Sequence, residues 1–323
     1  MNVERFGDIA QITLPTPFPI GDVNVYIIMG DPLTLVDAGV KTAAAWEAFV
    51  SGLSQLGYAP EDIGQVVLTH HHPDHIGLLD FLPDDTIIIG HRYGANWLSR
   101  DEELRRDHYC FFRGLFYQFG LPKEMEPQLN QIQEPLSFGC DHSELTLAVK
   151  EGDRLPGLVD WIVFETPGHS QSHLVFFRER DGTLLAGDHV LASVSSNPLL
   201  EPSLLPGEER PKPQVQYNHS LKKMLELPIS VAYTGHGKEI KRIHPLIIRR
   251  LELQHKRAMQ VKEMLAEQPL TAFEVCKQLF PNVYKKQMGL TLSESVGQLD
   301  YLLSIDEIGV HPDDRGILYY FPL

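Results

Sequence analysis

Four imidazoles and a carboxylate crowd into the stretch Thr69-His70-His71-His72-Pro73-Asp74-His75. Imidazole and carboxylate are the donors that suit zinc, iron or manganese. Alternate side chains of an extended segment point the same way, so His70 and His72 can address one ion. Asp74 and His75 face elsewhere and can address a second. A solvated, histidine-rich loop is the plain alternative. Against it stand the flanks: Gln65-Val66-Val67-Leu68 reads as a buried strand, and Ile76-Gly77-Leu78-Leu79 as an apolar segment of helical character. Three further places repeat an apolar strand that ends in a metal-competent residue beside glycine. They are His169 after Pro167-Gly168, Asp188 after Gly187, and His236 between Gly235 and Gly237. Glycine lets the backbone turn sharply and come close to a bound group. Four such strand ends meeting at one sheet edge would build a metal site on rigid elements.

The elements that must position these residues follow an α+β order. Residues 3–14, 23–29 and 33–38 read as successive strands, separated by turns such as Gly30-Asp31-Pro32. The last of them ends at Asp37-Ala38-Gly39. Residues 42–57 carry a helical pattern with Gly57 as its stop, and 86–90 form another buried strand. Residues 93–138 interrupt the rhythm, with Trp97, Leu98, Phe112, Leu115, Phe116 and Phe119 at helical spacing. One or two amphipathic helices are expected there, either as an ordinary packed layer or as a lid or wall over a pocket. Strands resume from 144 to 190, including a hairpin turned by Asp181-Gly182. A helix over 215–226 and a strand over 230–234 follow. Beyond this point the texture changes to helices over 247–266, 271–280 and 292–305, then two short strands within 309–321. The expected division is 1–243 for the sheet-bearing part and 244–323 for a small winged-helix-like domain.

Composition narrows the options. The 323 residues are 43% hydrophobic, and 28 basic against 43 acidic residues leave a formal charge of −15. That balance opposes nonspecific attraction to nucleic acid or anionic membrane. The start shows no basic segment followed by an apolar one, and no apolar run approaches the roughly 18 residues of a membrane span. Cys110, Cys140 and Cys276 are odd in number and far apart, which fits reduced thiols in the cytoplasm. A homodimer is left open.

With these residues in hand, the chain resembles the metallo-β-lactamase-fold hydrolase superfamily over roughly residues 5–240. The likeness points to its glyoxalase II-like and lactamase-β-like protein 2 branches. The C-terminal part is similar to the helical, winged-helix appendage of the second branch. The resemblance implies an αββα sandwich with the site at one edge. It implies that His70, His72 and His169 hold a first ion, that Asp74, His75 and His236 hold a second, and that Asp188 bridges them. Asp74 would also orient the nucleophile or accept its proton. Asp37 would orient a ligand histidine from behind, or else simply cap the turn that follows it. His71, His173 and His189 flank these positions and read as packed or supporting rings. His91, His108, His142, His219, His244, His255 and His311 read as surface or structural.

Two divalent ions, zinc ahead of iron or manganese, would share a hydroxide that is available at neutral pH. The expected reaction is metal-assisted hydrolysis without a covalent intermediate. True β-lactamases of this fold usually carry Cys where Asp188 stands, and the redox branch carries Glu where His72 stands, so both activities are disfavoured. A small acyl substrate (thioester, ester or lactone) is expected ahead of single-strand RNA cleavage of the lactamase-β-like protein 2 type. A ligand-sensing regulator that binds nucleic acid comes third. The basic stretch Lys238 to Lys262 speaks for nucleic acid. The presumed recognition helix, Ser293-Glu294-Ser295-Val296-Gly297-Gln298-Leu299-Asp300, lacks the Lys or Arg that phosphate requires.

Overall fold

A computed structural model describes residues 3–99, 102–203 and 207–323. Met1 and Asn2, at the start considered above, lie outside it, as do Arg100 and Asp101 of the 93–138 segment. The first sheet contains β1 (Val3–Phe6), β2 (Ile9–Leu14), β3 (Val23–Ile28), β4 (Thr34–Val36), β5 (Gln65–Val67), β6 (Ile87–Gly90) and β7 (Leu147–Ala148) in that spatial order. Its first four strands form an antiparallel meander and its last four run parallel. The second sheet holds β8 (Arg154–Leu155), β9 (Leu158–Glu165), β10 (Leu174–Arg178), β11 (Thr183–Gly187) and β12 (Val231–Thr234), with only β11 and β12 parallel.

Side chains alternate across each strand, and the alternation builds three apolar layers. Tyr26, Ile28, Val36, Val67 and Ile89 meet Trp161, Val163, Leu174, Phe176 and Leu185 between the sheets. On the outer side of the first sheet, Ile12, Val25, Leu35 and Val66 pack on Phe49 and Leu53 of α1 (Ala43–Leu56). That helix begins where Thr42 Oγ1 accepts the Ala45 amide and ends at left-handed Gly57. The histidine-rich turn continues into α2 (Pro73–Ile76), and the inserted segment forms α3 (Ala95–Ser99), α4 (Glu102–Gln118) and α5 (Leu129–Gln133). On the outer side of the second sheet, Phe177, Leu184 and Ala186 pack on Tyr217, Leu221 and Met224 of α6 (Pro213–Met224). The order is helix, sheet, sheet, helix, the αββα sandwich implied by the resemblance.

The C-terminal part consists of α7 (Ile243–Met264), α8 (Ala272–Leu279), α9 (Met288–Ser304) and an antiparallel hairpin of β13 (Ile308–Pro312) and β14 (Leu318–Pro322). Two features were not legible in the sequence. First, α7 begins at the expected junction but serves two cores: Ile243 and Ile247 belong to the sandwich layer, Ala258 and Val261 to a separate core. Second, that core is shared with the inserted segment, because Phe112, Leu115, Phe116 and Phe119 pack among Val275, Leu292, Val296 and Leu299. Helix α9 is thereby buried along most of its length, polar residues included. Its Asp300 takes a bidentate contact from Arg210 at 2.7 Å, and Gln298 bonds Gln254 of α7 at 3.0 Å. Among the described residues no helix is long and apolar enough to cross a membrane.

His108 joins α4 to α5: Gln133 Nε2 donates to its Nδ1 at 2.7 Å, and its ring lies edge-on to Trp97. Burial pushes its pKa down to about 4. The unfolded chain therefore takes up this proton near pH 6.5, whereas the folded chain resists until about pH 4. Its contribution to stability is complete above pH 6.5 and is lost as the pH falls toward 4. Thermal unfolding of wild type and His108→Phe should accordingly show a stability difference that shifts against wild type between pH 7.5 and 5. A difference independent of pH would refute this.

Candidate metal centre

The order of residues after β5 explains how one short stretch serves two directions. Pro73 disfavours helical backbone in the residue before it and is favoured at the first helical position. His72 is accordingly extended (φ −65°, ψ 149°), and α2 begins at Pro73. His70 and His72 thus project from extended backbone, whereas Asp74 and His75 lie in the first helical turn. The segment is anchored from behind by Asp37, which sits just after β4 in left-handed backbone (φ +60°). Its carboxylate accepts the Thr69 amide at 2.7 Å, the Thr69 hydroxyl at 2.7 Å and His75 Nδ1–H at 2.8 Å. Glycine is required where β12 ends: a Cβ on Gly235 would strike Asp188 Oδ1 and lie 2.8 Å from His75 Cε1.

The structure brings His70, His72, Asp74, His75, His169, Asp188 and His236 together at one edge of the sandwich, all but His72 fully buried. Each imidazole turns one nitrogen inward and the other outward. Thr69 Oγ1, already donating to Asp37, accepts His70 Nδ1–H at 3.0 Å. Asn197 O accepts from His169 Nδ1 at 2.9 Å, and Asp22 O from His236 Nδ1 at 2.8 Å. With Asp37 on His75, these partners leave the Nε2 lone pairs of His70, His75, His169 and His236 facing inward. His72 is reversed: its Nδ1 lies 3.0 Å from His70 Nε2 and its Nε2 faces outward.

Two groups of donors result. His70, His72 and His169 form one, and Asp74, His75 and His236 the other, each with donor atoms within 4.8 Å of one another. Asp188 lies between them, 3.7 Å from His169 Nε2, 3.6 Å from His75 Nε2 and 3.5 Å from His236 Nε2. Buried His75 Nε2, His169 Nε2 and Asp188 Oδ1 have no hydrogen-bond partner. Buried polar atoms are rarely left this way, since each costs roughly 1–3 kcal/mol. Converging lone pairs with nothing to accept from are what a cation satisfies, so the residues fit a divalent metal.

The electrostatics separate the two groups. Burial, reinforced by neighbouring histidines, holds His70 and His72 well below the usual imidazole range. Burial also lowers His169, with Asp188 opposing. The first group is therefore neutral. In the second, burial is outweighed by Asp188, Asp37 and Asp74 at His75 and by Asp188 and Asp74 at His236, so both are raised. Burial would raise Asp74 and Asp188, but the facing imidazoles hold both carboxylates below their usual range.

Of the flanking histidines, His173 supports the centre directly. Its Nε2 accepts the Asp188 amide at 3.2 Å, and its ring stacks on His70. His71 stacks on Trp97 of α3 with centroids 4.5 Å apart and 11° between planes, so the inserted segment forms a wall of the site. His189 is buried against Tyr217, and His142, His219, His255 and His311 are exposed. Sequence reasoning missed Thr69, Ser196, Asn197 and above all Glu201. Glu201 is buried beside His71 and His72, and burial pushes its pKa up to about 8 against opposing bonds from Gln171 and Ser170. Nothing in its neighbourhood, Leu199-Leu200-Glu201-Pro202, has a spacing that marks it.

Comparison with known proteins agrees with this geometry. A family model of the metallo-beta-lactamase superfamily matches residues 19–236. A probable metallo-hydrolase of Bacillus subtilis, YqjP, is 42% identical over 295 residues, covering 91% of this chain and 92% of the relative. The thioesterase pkgB of Emericella nidulans is 24% identical over 254 residues, 78% of this chain and 56% of its own length. Among solved structures, the metallo-beta-lactamase family protein TTHA1429 of Thermus thermophilus superposes with a TM-score of 0.81 at 26% identity, covering 98% of this chain and 99% of that one.

Removing the carboxylate behind His75 tests the arrangement. Asparagine tolerates left-handed backbone, but its amide cannot accept three donors. Asp37→Asn should weaken metal binding about 10–100-fold, measured by competition with a chelator. Wild-type affinity in that variant would show that Asp37 merely caps a turn.

Proposed function

This chain belongs to the metallo-beta-lactamase superfamily and is a metal-dependent hydrolase, and from that premise we propose that it cleaves a small acyl substrate, a thioester, ester or lactone, with two divalent ions. The observation that carries this reading is the convergence of five imidazole nitrogens and two carboxylates, three of the donor atoms buried without a partner. His70 Nε2, His72 Nδ1 and His169 Nε2 would hold the first ion, and Asp74, His75 Nε2 and His236 Nε2 the second. Asp188, within reach of both groups, would bridge them. Zinc suits this nitrogen-rich set, and iron or manganese can occupy the same donors.

When bound, the ions supply Lewis acidity toward a carbonyl oxygen and lower the pKa of water toward neutrality. The protein's part is to fix the donors and to set which nitrogen of each ring faces inward. The outward bonds to Thr69, Asp37, Asn197 and Asp22 do so by taking the Nδ1 protons of four rings. Asp74 has one oxygen 3.3 Å from His236 Nε2 and the other 3.9 Å from His75 Nε2. A carboxylate so placed, held ionised by its neighbours, can orient a water molecule or accept its proton. No serine or cysteine nucleophile is required.

The substrate class rests on surfaces as much as on the site. Helix α9, where a nucleic-acid-reading helix was considered, is buried, and its acidic Asp300 is tied to Arg210. Part of the basic stretch is engaged within the protein: Lys241 pairs with Glu239, Arg257 with Glu294 and Lys262 with Glu307, whereas Lys238, Arg242, Arg249 and Lys256 are exposed. Arg250 is buried on backbone carbonyls. The chain as a whole carries a formal charge of −15, which works against a phosphate backbone. The likeness to pkgB, named a thioesterase, supports an acyl substrate. The free cysteines suit our placing the protein in the cytoplasm.

A metal-loaded preparation should hydrolyse at least one compound in a panel of acyl thioesters, aryl esters and lactones. His72→Ala and chelation should each abolish that turnover. Cleavage of single-stranded RNA with no hydrolysis of any acyl compound would overturn the substrate class. Salt-sensitive duplex binding without any hydrolysis would instead indicate a regulator.

A further inference from the structure

Among the five imidazoles turned toward the centre, His72 alone has no hydrogen bond to its outward nitrogen. With Nδ1 turned inward, its Nε2 must carry the proton and needs an acceptor. The polar atom that faces it is Glu201 Oε1, at 3.9 Å. Glu201 is only 7% exposed. Its Oε2 accepts the Gln171 amide at 3.1 Å, whereas Oε1 is buried without a partner. The same oxygen lies 3.8 Å from His71 Nε2. His71 Nδ1 is engaged by Ser172 Oγ at 2.7 Å, so its Nε2 is again the nitrogen free to donate. An unpartnered carboxyl oxygen therefore stands opposite two unpartnered imidazole nitrogens, and Glu201 can accept from them in its ionised form.

The loop that carries Glu201 is held firmly from the C-terminal part. Arg250 of α7 donates to the carbonyls of Leu191 and Val194. Ser293 Oγ of α9 accepts the Leu200 amide at 3.2 Å, and Asn197 Nδ2 donates to Leu290 O at 3.1 Å. A carboxylate so anchored is built to hold a ring in place.

We propose that Glu201 is the positioning residue for His72, accepting its Nε2–H so that Nδ1 faces the first ion, as Asp37 does for His75 at the second. The inference rests on the two-ion reading of the site. Outer acceptors of this kind raise ligand basicity and fix the ring. Glu201 thereby sets the affinity of the first ion separately from the second, and through His71 it links that ion to the Trp97 wall.

Glu201→Gln is the discriminating variant, because it keeps shape and volume. In either orientation its amide must present an N–H to a donor, either Gln171 N–H or the imidazoles. In chelator competition with zinc, wild type should bind two equivalents. Glu201→Gln should lose about 10–100-fold in affinity for one equivalent only, with the other equivalent bound as in wild type. Unaltered affinity for both equivalents, or an equal loss of both, overturns the proposal. A wild type that binds no metal overturns the two-ion reading itself. Independently of any variant, the imidazole NMR spectrum of zinc-loaded wild type should contain a ring coordinated through Nδ1 whose Nε2–H is protected from exchange. A rapidly exchanging Nε2–H on that ring counts against Glu201.

Discussion

A histidine can offer one nitrogen to a metal only if something takes the proton on the other, and the edge of this sandwich is arranged around that requirement. Five rings lie together, four of them buried, and in those four the inward lone pair is defined by an outward bond. The acceptors are chemically varied: a threonine hydroxyl for His70, a carboxylate for His75, and backbone carbonyls for His169 and His236. Leaving several such groups bare at about 1–3 kcal/mol each would offset much of the roughly 5–15 kcal/mol by which a domain is stable. The ligands and their outer partners must therefore be built as one unit.

That requirement explains features of the fold that look incidental. Asp37 adopts left-handed backbone, which a non-glycine residue avoids, yet it is held there by its own amide on Val67 O and by three donors on its carboxylate. The two sheets are tied to each other at the site and not only through their apolar interface. Asn24 Nδ2 donates to Thr234 O and Gly237 O, and Tyr26 Oη donates to Thr234 O, all across the gap between β3 and β12. Leu174 N donates to Thr69 O, joining β10 to the histidine-rich turn. These bonds hold strand ends that are far apart in sequence at separations a pair of ions can span.

How much of this could be read from the chain alone depended on whether a residue's role is local. The clustering of His70, His72, Asp74 and His75 is legible because strand periodicity and a proline act over a few residues. His169, Asp188 and His236 are legible because each follows an apolar strand and sits beside glycine. The strands follow from the same alternation, and their αββα arrangement from the family resemblance. What was not legible depends on tertiary approach. Glu201 lies on an irregular segment between Asp188 and α6, where no period marks one residue over another. The polar α9 reads as a surface helix, since Ser293, Gln298 and Asp300 carry no sign of the partners that bury them. A junction near residue 244 is read from the change in composition there, and α7 begins at that point, but nothing in its sequence marks that its first turns join the sandwich layer and its last turns another core.

The position of α7 and α9 gives the C-terminal part a role in the metal centre. The loop from Leu191 to Glu201 carries Ser196 and Asn197, which hold His169, as well as Glu201. It is bonded on its outer side to Arg250, Leu290 and Ser293. The inserted segment reaches the same place from the other direction, through Trp97 on His71, and shares its apolar core with α7, α8 and α9. A helix committed on most of its faces to such a core cannot also enter a nucleic-acid groove without leaving that core open. The appended helices and the insertion thus form one body that braces the outer wall of the site. Its shape bounds the approach to the site.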